Sequence, residues 1–532
     1  MAKILLVGEA TWLQTGYATY MAQVARRLVS AGHEVGELAC YGDPNDTRRA
    51  GSPWPAFFVT TRGNDYPPCG LYQSQPAFGS TAFEEAVLAF KPEVVISARD
   101  PWTDAFIQYS PLRPFYRWVF MHPVDGEPQD EEWLAAVSQA DMVLTYSDYG
   151  RQVLSRYPRI RLGGVAAPGA EPDVFRPVDQ KQSREMLGIP ADALVVGSVM
   201  RNQGRKLFPE LFEAFSKLLK AAPEHISRRL YLYCHTAWPD VGWDLPKYLL
   251  RNSCAHRCLF TFGCRSCGRA FASLWQEPAA GCLHCGSSDV STPTVSMGLP
   301  RGLMGPVYSS MDVCVQYSVC EGFGMPQVES ACCGTPVMSV DHTAMASVCR
   351  QIGGTPIKVE RYFTENETGR VLALPDNHDL VRKLTDFLSL PPAARKAAGC
   401  RQRAMALGAF DYDKAGDAWK TAVAGLYAPE MAYDAPRRNL PALARPDESM
   451  GHQEWVENAF LSALGIPPIR AGYLAQRMIR DLNRGYSDSM FVPSQFCPPG
   501  PCGRMSTFDR DSAWRILEAE RQRTEFWEGR RK

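Results

Sequence analysis

The sequence predicts an α/β protein built as two parallel-sheet domains, and three observations predict it. Short apolar runs of β character alternate with helical patterning, the alternation occurs in two series, and a proline- and acid-rich stretch separates them. In the first series, residues 3–7, 94–97, 118–121 and 142–146 read as strands, with helices over 18–31 and 131–139 between some of them. Continuous apolar strands alternating with helices belong to a sheet covered on both faces. A second series begins near Ala193, with strands over 194–199, 230–234, 259–262, 313–317 and 336–340. Between the two lies Ala167-Pro-Gly-Ala-Glu-Pro-Asp-Val-Phe-Arg-Pro177. The expectation is two Rossmann-like domains, 1–175 and 176–426, facing across a cleft. A linker and a mainly helical extension follow over 427–532.

Bulk properties bound the function. A chain of 532 residues is long enough for two or three domains with real cores. Lys plus Arg equals Asp plus Glu at 57 each, so a broad basic surface for non-specific nucleic-acid binding is not expected, and a local basic groove stays open. No apolar run approaches the roughly 18 residues that span a bilayer. The start, Met-Ala-Lys-Ile-Leu-Leu-Val-Gly, is too short in its apolar part for a signal peptide and reads as the first buried strand. The 17 cysteines are odd in number, and Cys234, Cys314, Cys332 and Cys333 sit in apolar runs. Reduced thiols in a cytoplasm, together with a metal site, are the expectation.

In open parallel sheets, ligands sit beyond the carboxyl ends of the strands. That rule nominates Gly16, Tyr17, Arg99, Asp100, Trp102, His122 and Asp125 from the first domain. From the second it nominates Arg201, Lys206, His235, the region after Phe262, Glu321, Asp341 and His342.

The richest stretch is Glu321-Gly-Phe-Gly-Met-Pro-Gln-Val-Glu329, followed by Ser-Ala-Cys-Cys-Gly-Thr-Pro-Val337. Pro326 suits the first helical position, where its missing N–H costs nothing. The amides of Gly322, Phe323 and Gly324, at the positive end of that helix, can hold hydroxyl or phosphate oxygens. Glu321 precedes the helix and Glu329 lies in its first turns, so both can face one ligand. Carboxylates accept hydrogen bonds from sugar hydroxyls, including both of a ribose diol. The pattern reads as a nucleotide-sugar site.

This stretch resembles the E-x7-E signature of retaining GT-B glycosyltransferases of the glycosyl-transferase group 1, glycogen-synthase-like family. The resemblance extends loosely from Met1 to about Leu426, interrupted near 264–290. It implies transfer of a sugar from a nucleoside diphosphate donor to an acceptor hydroxyl with retention, without a catalytic metal. Glu329 would hold the ribose, and Glu321 with the glycine-turn amides would orient the donor sugar. In Val199-Met-Arg-Asn-Gln-Gly-Arg-Lys206, an arginine and a lysine can neutralise a departing diphosphate. The resemblance puts Arg201 and Lys206 in that role, with Arg205 as a substitute. Gly16, in Thr15-Gly-Tyr-Ala-Thr19, is similar to the family's first glycine loop and would let backbone approach the phosphates or the acceptor. A plain tight turn is the competing reading. His122, in Met121-His-Pro-Val-Asp125, matches the site where relatives place a histidine beside the transferred sugar; a satisfied buried histidine is its alternative. Ser147, closing Asp141-Met-Val-Leu-Thr-Tyr-Ser147, reads as structural. UDP is the favoured nucleotide, and GDP stays open.

Cys264-x2-Cys267, fourteen residues, then Cys282-x2-Cys285 has the spacing of a four-cysteine zinc ribbon. Four thiolates close the coordination sphere, so the zinc is structural. His284 reads as a bystander, and Cys254, His256 and Cys258 lack paired spacing. The ribbon follows Leu259-Phe-Thr-Phe-Gly263 and so emerges at the carboxyl end of a strand, at the cleft mouth. A module there can hold an acceptor too large for the cleft, or serve stabilisation or a dimer contact.

The tail carries helical patterning over 454–464, 472–483 and 512–531. A hydroxylated base in DNA or RNA is the first expectation for the acceptor. The chain also resembles group 1 transferases of bacteriophages that decorate hydroxylated pyrimidines, which would place it in a host cytoplasm. Tyr17, Trp102, Trp238 and Trp243 are candidates for stacking on a flipped base, or core residues. A glycan, protein or lipid acceptor, a GT-B phosphorylase and a non-catalytic nucleotide-sugar binder stay open.

Overall fold

The computed structural model describes residues 1–59, 78–79, 82–110, 113–130, 133–134, 137–275, 281–294, 298–426, 447–451, 455 and 458. The expected helices of the tail, and most of 131–136, lie outside the described residues.

The first sheet comprises β1 (Lys3–Glu9), β2 (Glu34–Cys40), β3 (Ala56–Phe58), β4 (Val94–Ser97), β5 (Arg117–His122), β6 (Met142–Thr145) and β7 (Leu162–Val165). All pairings are parallel, in the order β3-β2-β1-β4-β5-β6-β7. The chain moves outward from β1 to β3 and then returns beside β1 with β4. The crevice between the ends of β1 and β4 is therefore a topological switch point. Helix Gly16–Ser30 follows β1 because Thr15 caps it, accepting from the Ala18 amide at 3.2 Å. Its Tyr20, Met21, Val24 and Leu28 face the sheet as a buried stripe.

The second sheet repeats the plan with β8 (Leu194–Val199), β9 (Leu230–His235), β10 (Cys258–Cys264), β13 (Val313–Gln316), β14 (Val337–Val340) and β15 (Thr355–Ile357) in parallel. Here the switch point falls between β8 and β13. The cysteine insertion extends the edge with β11 (Ala270–Leu274) and β12 (Val290–Ser291), both antiparallel to β10. A hairpin of β16 (Val359–Thr364) and β17 (Val371–Pro375) stands apart from both sheets.

Three strands of the first sheet were not legible as strands. β2 carries Glu34, Gly36 and Glu37, and β3 is only three residues long. Glu37 is nonetheless buried, its carboxylate accepting from the Thr11 amide and hydroxyl at 3.2 Å each. β7 contains Gly163 and Gly164 and reads as a loop.

The proline-rich stretch 167–177 has no helix or strand and links the sheets, as expected. The segment assigned to the second domain does not end there, however. Its last helix, Tyr412–Ala424, crosses back onto helix Gly16–Ser30. Trp419 Nε1 donates to the Tyr20 hydroxyl at 2.7 Å, and Arg27 pairs with Asp413 at 2.8 Å. One apolar cluster consequently runs from β1 and β4 through Tyr20, Tyr146, Phe323 and Phe410 into the second domain. Among the described residues no helix is long and apolar enough to cross a membrane.

Candidate functional site

The glycine turn follows β13, beside the second switch point, and meets the first domain where Gly322 approaches Pro123 and Met325 approaches Gly16. Glu321 is buried after β13, its amide donating to Thr343 Oγ1 at 3.1 Å. Gly324, in the left-handed region at φ 90°, caps helix Met325–Cys332. Pro326 therefore takes the second helical position rather than the first, where an N–H is equally dispensable. A Cβ on Gly322 would sit 3.3 Å from the Pro123 carbonyl carbon, so glycine permits the turn to close on the loop after β5. The amides of Gly322, Phe323 and Gly324 donate to no group among the described residues. Gln327, 1% exposed, has both side-chain amide atoms unpaired among the described residues, beside them. Unpaired buried donors at a helix start are a ready anion and hydroxyl cradle. The Phe323 ring itself is spent on an edge contact with Phe410 at 5.3 Å.

Opposite the turn, the loop after β8 supplies charge. Glu321 is in contact with Lys206 Nζ, pairs with Arg205 at 2.5 Å and accepts from Gln316 Nε2 at 3.0 Å. Burial, with Arg205 adding to it, pulls the Lys206 ammonium well down, and the touching carboxylate opposes that pull. Arg201 is elsewhere: it makes a two-pronged pair with Asp240 at 3.0 Å and is exposed. Asn202 causes this, because its side chain bonds the Trp243 carbonyl and amide at 2.8 Å each and turns the loop outward. Arg205, the substitute, is thus the arginine that shares Glu321 with Lys206. Trp243 and Trp238 are half-buried against the second core. Trp243 Nε1 donates to the Lys206 carbonyl at 2.6 Å, and Trp238 meets Trp275 edge-on at 4.9 Å, so the rings brace the loop and the core.

Glu329 is held differently. Tyr308 donates to its Oε2 at 2.6 Å, burial pushes its carboxyl up, and Oε1 accepts from no group among the described residues. Tyr308 and Gln316 were not legible as site residues, because each lies in an apolar-patterned segment that reads as core; Gln327 stands inside the Glu321–Glu329 stretch but was not singled out there.

From the first domain, Gly16 faces Met325, with its Cβ direction 3.5 Å from the thioether sulfur. His122 ends β5, is 1% exposed and has neither ring nitrogen in hydrogen-bonding geometry with a group among the described residues. Burial holds its imidazole down to about 4, so it is neutral at pH 7. Tyr17 donates to Asp100 at 3.1 Å, and burial followed by the nearby Asp125 pushes Asp100 up to about 6. Asp125 pairs with Arg370 of the second domain at 2.5 Å. Other strand-end candidates are structural: Arg99 is buried against Asp104, His235 bonds Thr261 at 3.1 Å, His342 bonds the Val371 carbonyl at 3.0 Å, and Asp341 pairs with Arg350 at 2.6 Å. Trp102 packs edge-on against Phe78 at 5.3 Å.

The thiols of Cys264, Cys267, Cys282 and Cys285 converge, all four sulfurs lying within 4.8 Å of one another. Cys264–Cys285 and Cys267–Cys282 are 3.6 and 3.7 Å apart. Zinc–sulfur bonds of about 2.3 Å in a tetrahedron require edges of about 3.8 Å, so the set fits zinc. Each knuckle closes the same way, with Gly268 and Gly286 at φ 69° and 74° donating to the carbonyls of Cys264 and Cys282. His284 bonds the Ala270 carbonyl at 3.2 Å and is not part of the group. The ribbon does stand at the carboxyl end of β10.

No family model matches the chain. A D-inositol 3-phosphate glycosyltransferase of Geodermatophilus obscurus is 26% identical over 321 residues, 59% of each chain. The chain thus spans about three-fifths of the length of that curated relative. Sucrose-phosphate synthase of Thermosynechococcus elongatus superposes with a TM-score of 0.59 at 17% identity, covering 80% of this chain and 99% of its own. Anabaena HepE, solved with UDP and glucose, does so with a TM-score of 0.56 at 14% identity, covering 80% and 100%. These likenesses establish the GT-B fold, with a four-cysteine module inserted after β10.

Proposed function

We propose that this chain is a glycosyltransferase that moves a sugar from a nucleoside diphosphate donor to an acceptor hydroxyl. The observation that carries the reading is the turn 321–324. Three amides and the Gln327 side chain, unpaired among the described residues, lie beside Glu321, which holds a buried lysine and an arginine, where the turn closes on Pro123 and Gly16 approaches Met325. The curated relatives are named as glycosyltransferases, and HepE is solved with UDP and glucose, which favours a UDP-sugar.

In this reading the diphosphate lies on the glycine-turn amides, with Arg205 and Lys206 stabilising it as the glycosidic bond breaks. Glu321 holds both cations in place and orients the donor sugar. Neutral His122 bonds a hydroxyl of that sugar, and Glu329 binds the ribose. No carboxylate stands free as a nucleophile among the described residues of the turn. Retention then follows a front-face course: the C1–O bond to phosphate breaks, the acceptor oxygen bonds C1 from the same face, and the departing phosphate takes the acceptor's proton. Zinc held by the four cysteines is structural and takes no part.

For the acceptor, the ribbon's place at the carboxyl end of β10 supports a hydroxylated pyrimidine in DNA. The test is mass spectrometry of nucleosides digested from hydroxymethylated DNA after incubation with UDP-sugars. A sugar-shifted nucleoside supports both transfer and acceptor. Release of UDP and free sugar without a shift keeps the transferase and removes this acceptor. Glu329→Ala is expected to weaken UDP binding at least tenfold, roughly the loss of one or two charge-assisted hydrogen bonds; unchanged calorimetric affinity removes Glu329 from the ribose.

A further inference from the structure

Tyr17 and Asp100 bridge the first switch point. Tyr17 lies in the first turn of helix Gly16–Ser30, after β1, and its hydroxyl donates to Oδ1 of Asp100, after β4, at 3.1 Å. Asp100 stands at the N-cap of helix Pro101–Tyr109, yet its side chain caps nothing. An aspartate at that position ordinarily accepts from an amide of its own helix's first turn. Here the Thr103 amide and hydroxyl both donate to the Asp100 carbonyl, at 2.9 and 2.7 Å, and the carboxylate is turned to Tyr17 instead. Asp100 is half-buried, and its Oδ2 accepts from no group among the described residues.

The pair lies where the domains meet. Gly16, next to Tyr17, is in contact range of Met325, and Pro123 closes on Gly322. Ser97 of β4 pairs with Phe120 of β5, so Asp100 and Pro123 each stand three residues beyond that pair, at the same end of neighbouring strands. Tyr17 and Asp100 are thus level with the two places where the glycine turn and its helix touch the first domain. Arg205 is near enough to favour ionisation of both. Other acids that the strand-end rule nominates are engaged. Asp125 holds Arg370 and accepts from the Cys320 thiol at 3.8 Å, Glu321 holds Lys206 and Arg205, and Asp341 holds Arg350.

We propose that Asp100, steadied by Tyr17, anchors the acceptor: its open oxygen accepts from a hydroxyl or N–H that neighbours the attacking hydroxyl. This rests on the transferase reading, in which the second domain holds the donor and leaves the first domain as the acceptor's wall. The exocyclic amine beside the hydroxymethyl group of a modified cytosine is such a donor. The attacking hydroxyl keeps its own proton for the departing phosphate, so Asp100 orients the acceptor and removes no proton.

The test is product partition by the full chain, as wild type, Asp100→Asn, Asp100→Ala and Tyr17→Phe. Each is given the UDP-sugar that wild type turns over fastest, in water containing ethane-1,2-diol or, in parallel, propan-1-ol at equal molarity. The two alcohols match in size, and the diol alone carries a second donor. Mass spectrometry counts glycosylated alcohol against free sugar. Wild type should favour the diol at least about fivefold per hydroxyl, the effect of one charge-assisted hydrogen bond. Both Asp100 variants should bring that preference to within about twofold of none, with Tyr17→Phe between, because the preference is the effect of the one bond they remove. Calorimetric UDP binding checks that each variant is folded, and the isosteric Asp100→Asn carries the test if Asp100→Ala is not. A purely structural Asp100 would lower capture of both alcohols alike, and a preference unchanged in folded Asp100 variants overturns the proposal. So does release of free sugar by wild type with neither alcohol captured, which leaves the transferase standing. If no UDP-sugar is turned over, the transferase reading has failed and the proposal goes with it.

Discussion

Arg201, Arg205 and Lys206 lie within six residues of one loop, yet the fold gives them different surroundings. Lys206 is 7% exposed and touches Glu321, whereas Arg201 is turned to Asp240 at the surface. On the proposed reading, charge that develops on a departing diphosphate is stabilised by the cations held beside the glycine turn. Lys206→Ala is therefore expected to lower kcat by roughly two to three orders of magnitude, and Arg205→Ala by about one or two. Arg201→Ala should stay within a few-fold. Steady-state rates of UDP release from a UDP-sugar would rank the three, and an Arg201 effect as large as Lys206's would reject the assignment. That a basic loop follows the first strand of the second domain was legible in the sequence. Which arginine points inward was not, because Asn202 sets it by bonding Trp243, 41 residues away. The same holds for Tyr308 and Gln327, whose polar ends matter only once the glycine turn has folded over them.

The four cysteines expected from their spacing do converge, whereas the short strands around them were not visible in the sequence. The paired C-x2-C knuckles specify their own geometry through four sulfurs and two left-handed glycines. Their attachment was not visible, since β11 and β12 exist only by pairing with β10. That attachment predicts how metal loss propagates. Between Cys285 and Arg301 the chain is pinned by the β12–β10 pairs, by Thr292 on Trp238 and by Gly298 under Gln14. Chelation should thus raise amide exchange over 264–275 and 281–291 while UDP affinity changes by less than about twofold, local opening being independent of a pinned neighbour. A tenfold loss of UDP affinity on chelation would falsify the insulation argued here and join the metal site to the donor site.

At the scale of the whole molecule, the cleft is drawn shut by few contacts. Asp125 pairs with Arg370 at 2.5 Å, the Val371 amide donates to the Glu127 carbonyl at 2.9 Å, and Gln351 donates to Asp148 at 2.9 Å. Gly16 is in ordinary contact range of Met325, and Gly322 against Pro123 is a close approach that glycine allows. The crossing helix Tyr412–Ala424 also ties the domains, through Trp419, and its Lys414 and Ala415 share a pocket with Asp148 and Gln351, which leaves Asp125–Arg370 and Glu127–Val371 as the contacts away from it that can govern opening. Arg370 has the most at stake. Its side chain is 12% exposed, it also holds Glu365 at 2.8 Å, and it lies over the Trp133 ring at 5.6 Å. Replacing it with alanine removes the ion pair that joins Asp125 to the second domain, and that loss favours separation of the domains. Losing such a partly covered charged pair costs on the order of 1–3 kcal/mol, which shifts a closure equilibrium about fivefold to a hundredfold. An open cleft admits water to the donor before an acceptor arrives. Arg370→Ala should therefore raise the donor KM and raise the ratio of UDP-sugar hydrolysis to transfer, while Arg370→Lys recovers part of both. If instead the donor KM and that ratio match wild type, the Asp125–Arg370 pair does not control closure. The Glu127–Val371 backbone bond would then be the contact that holds the two sheets together over the donor.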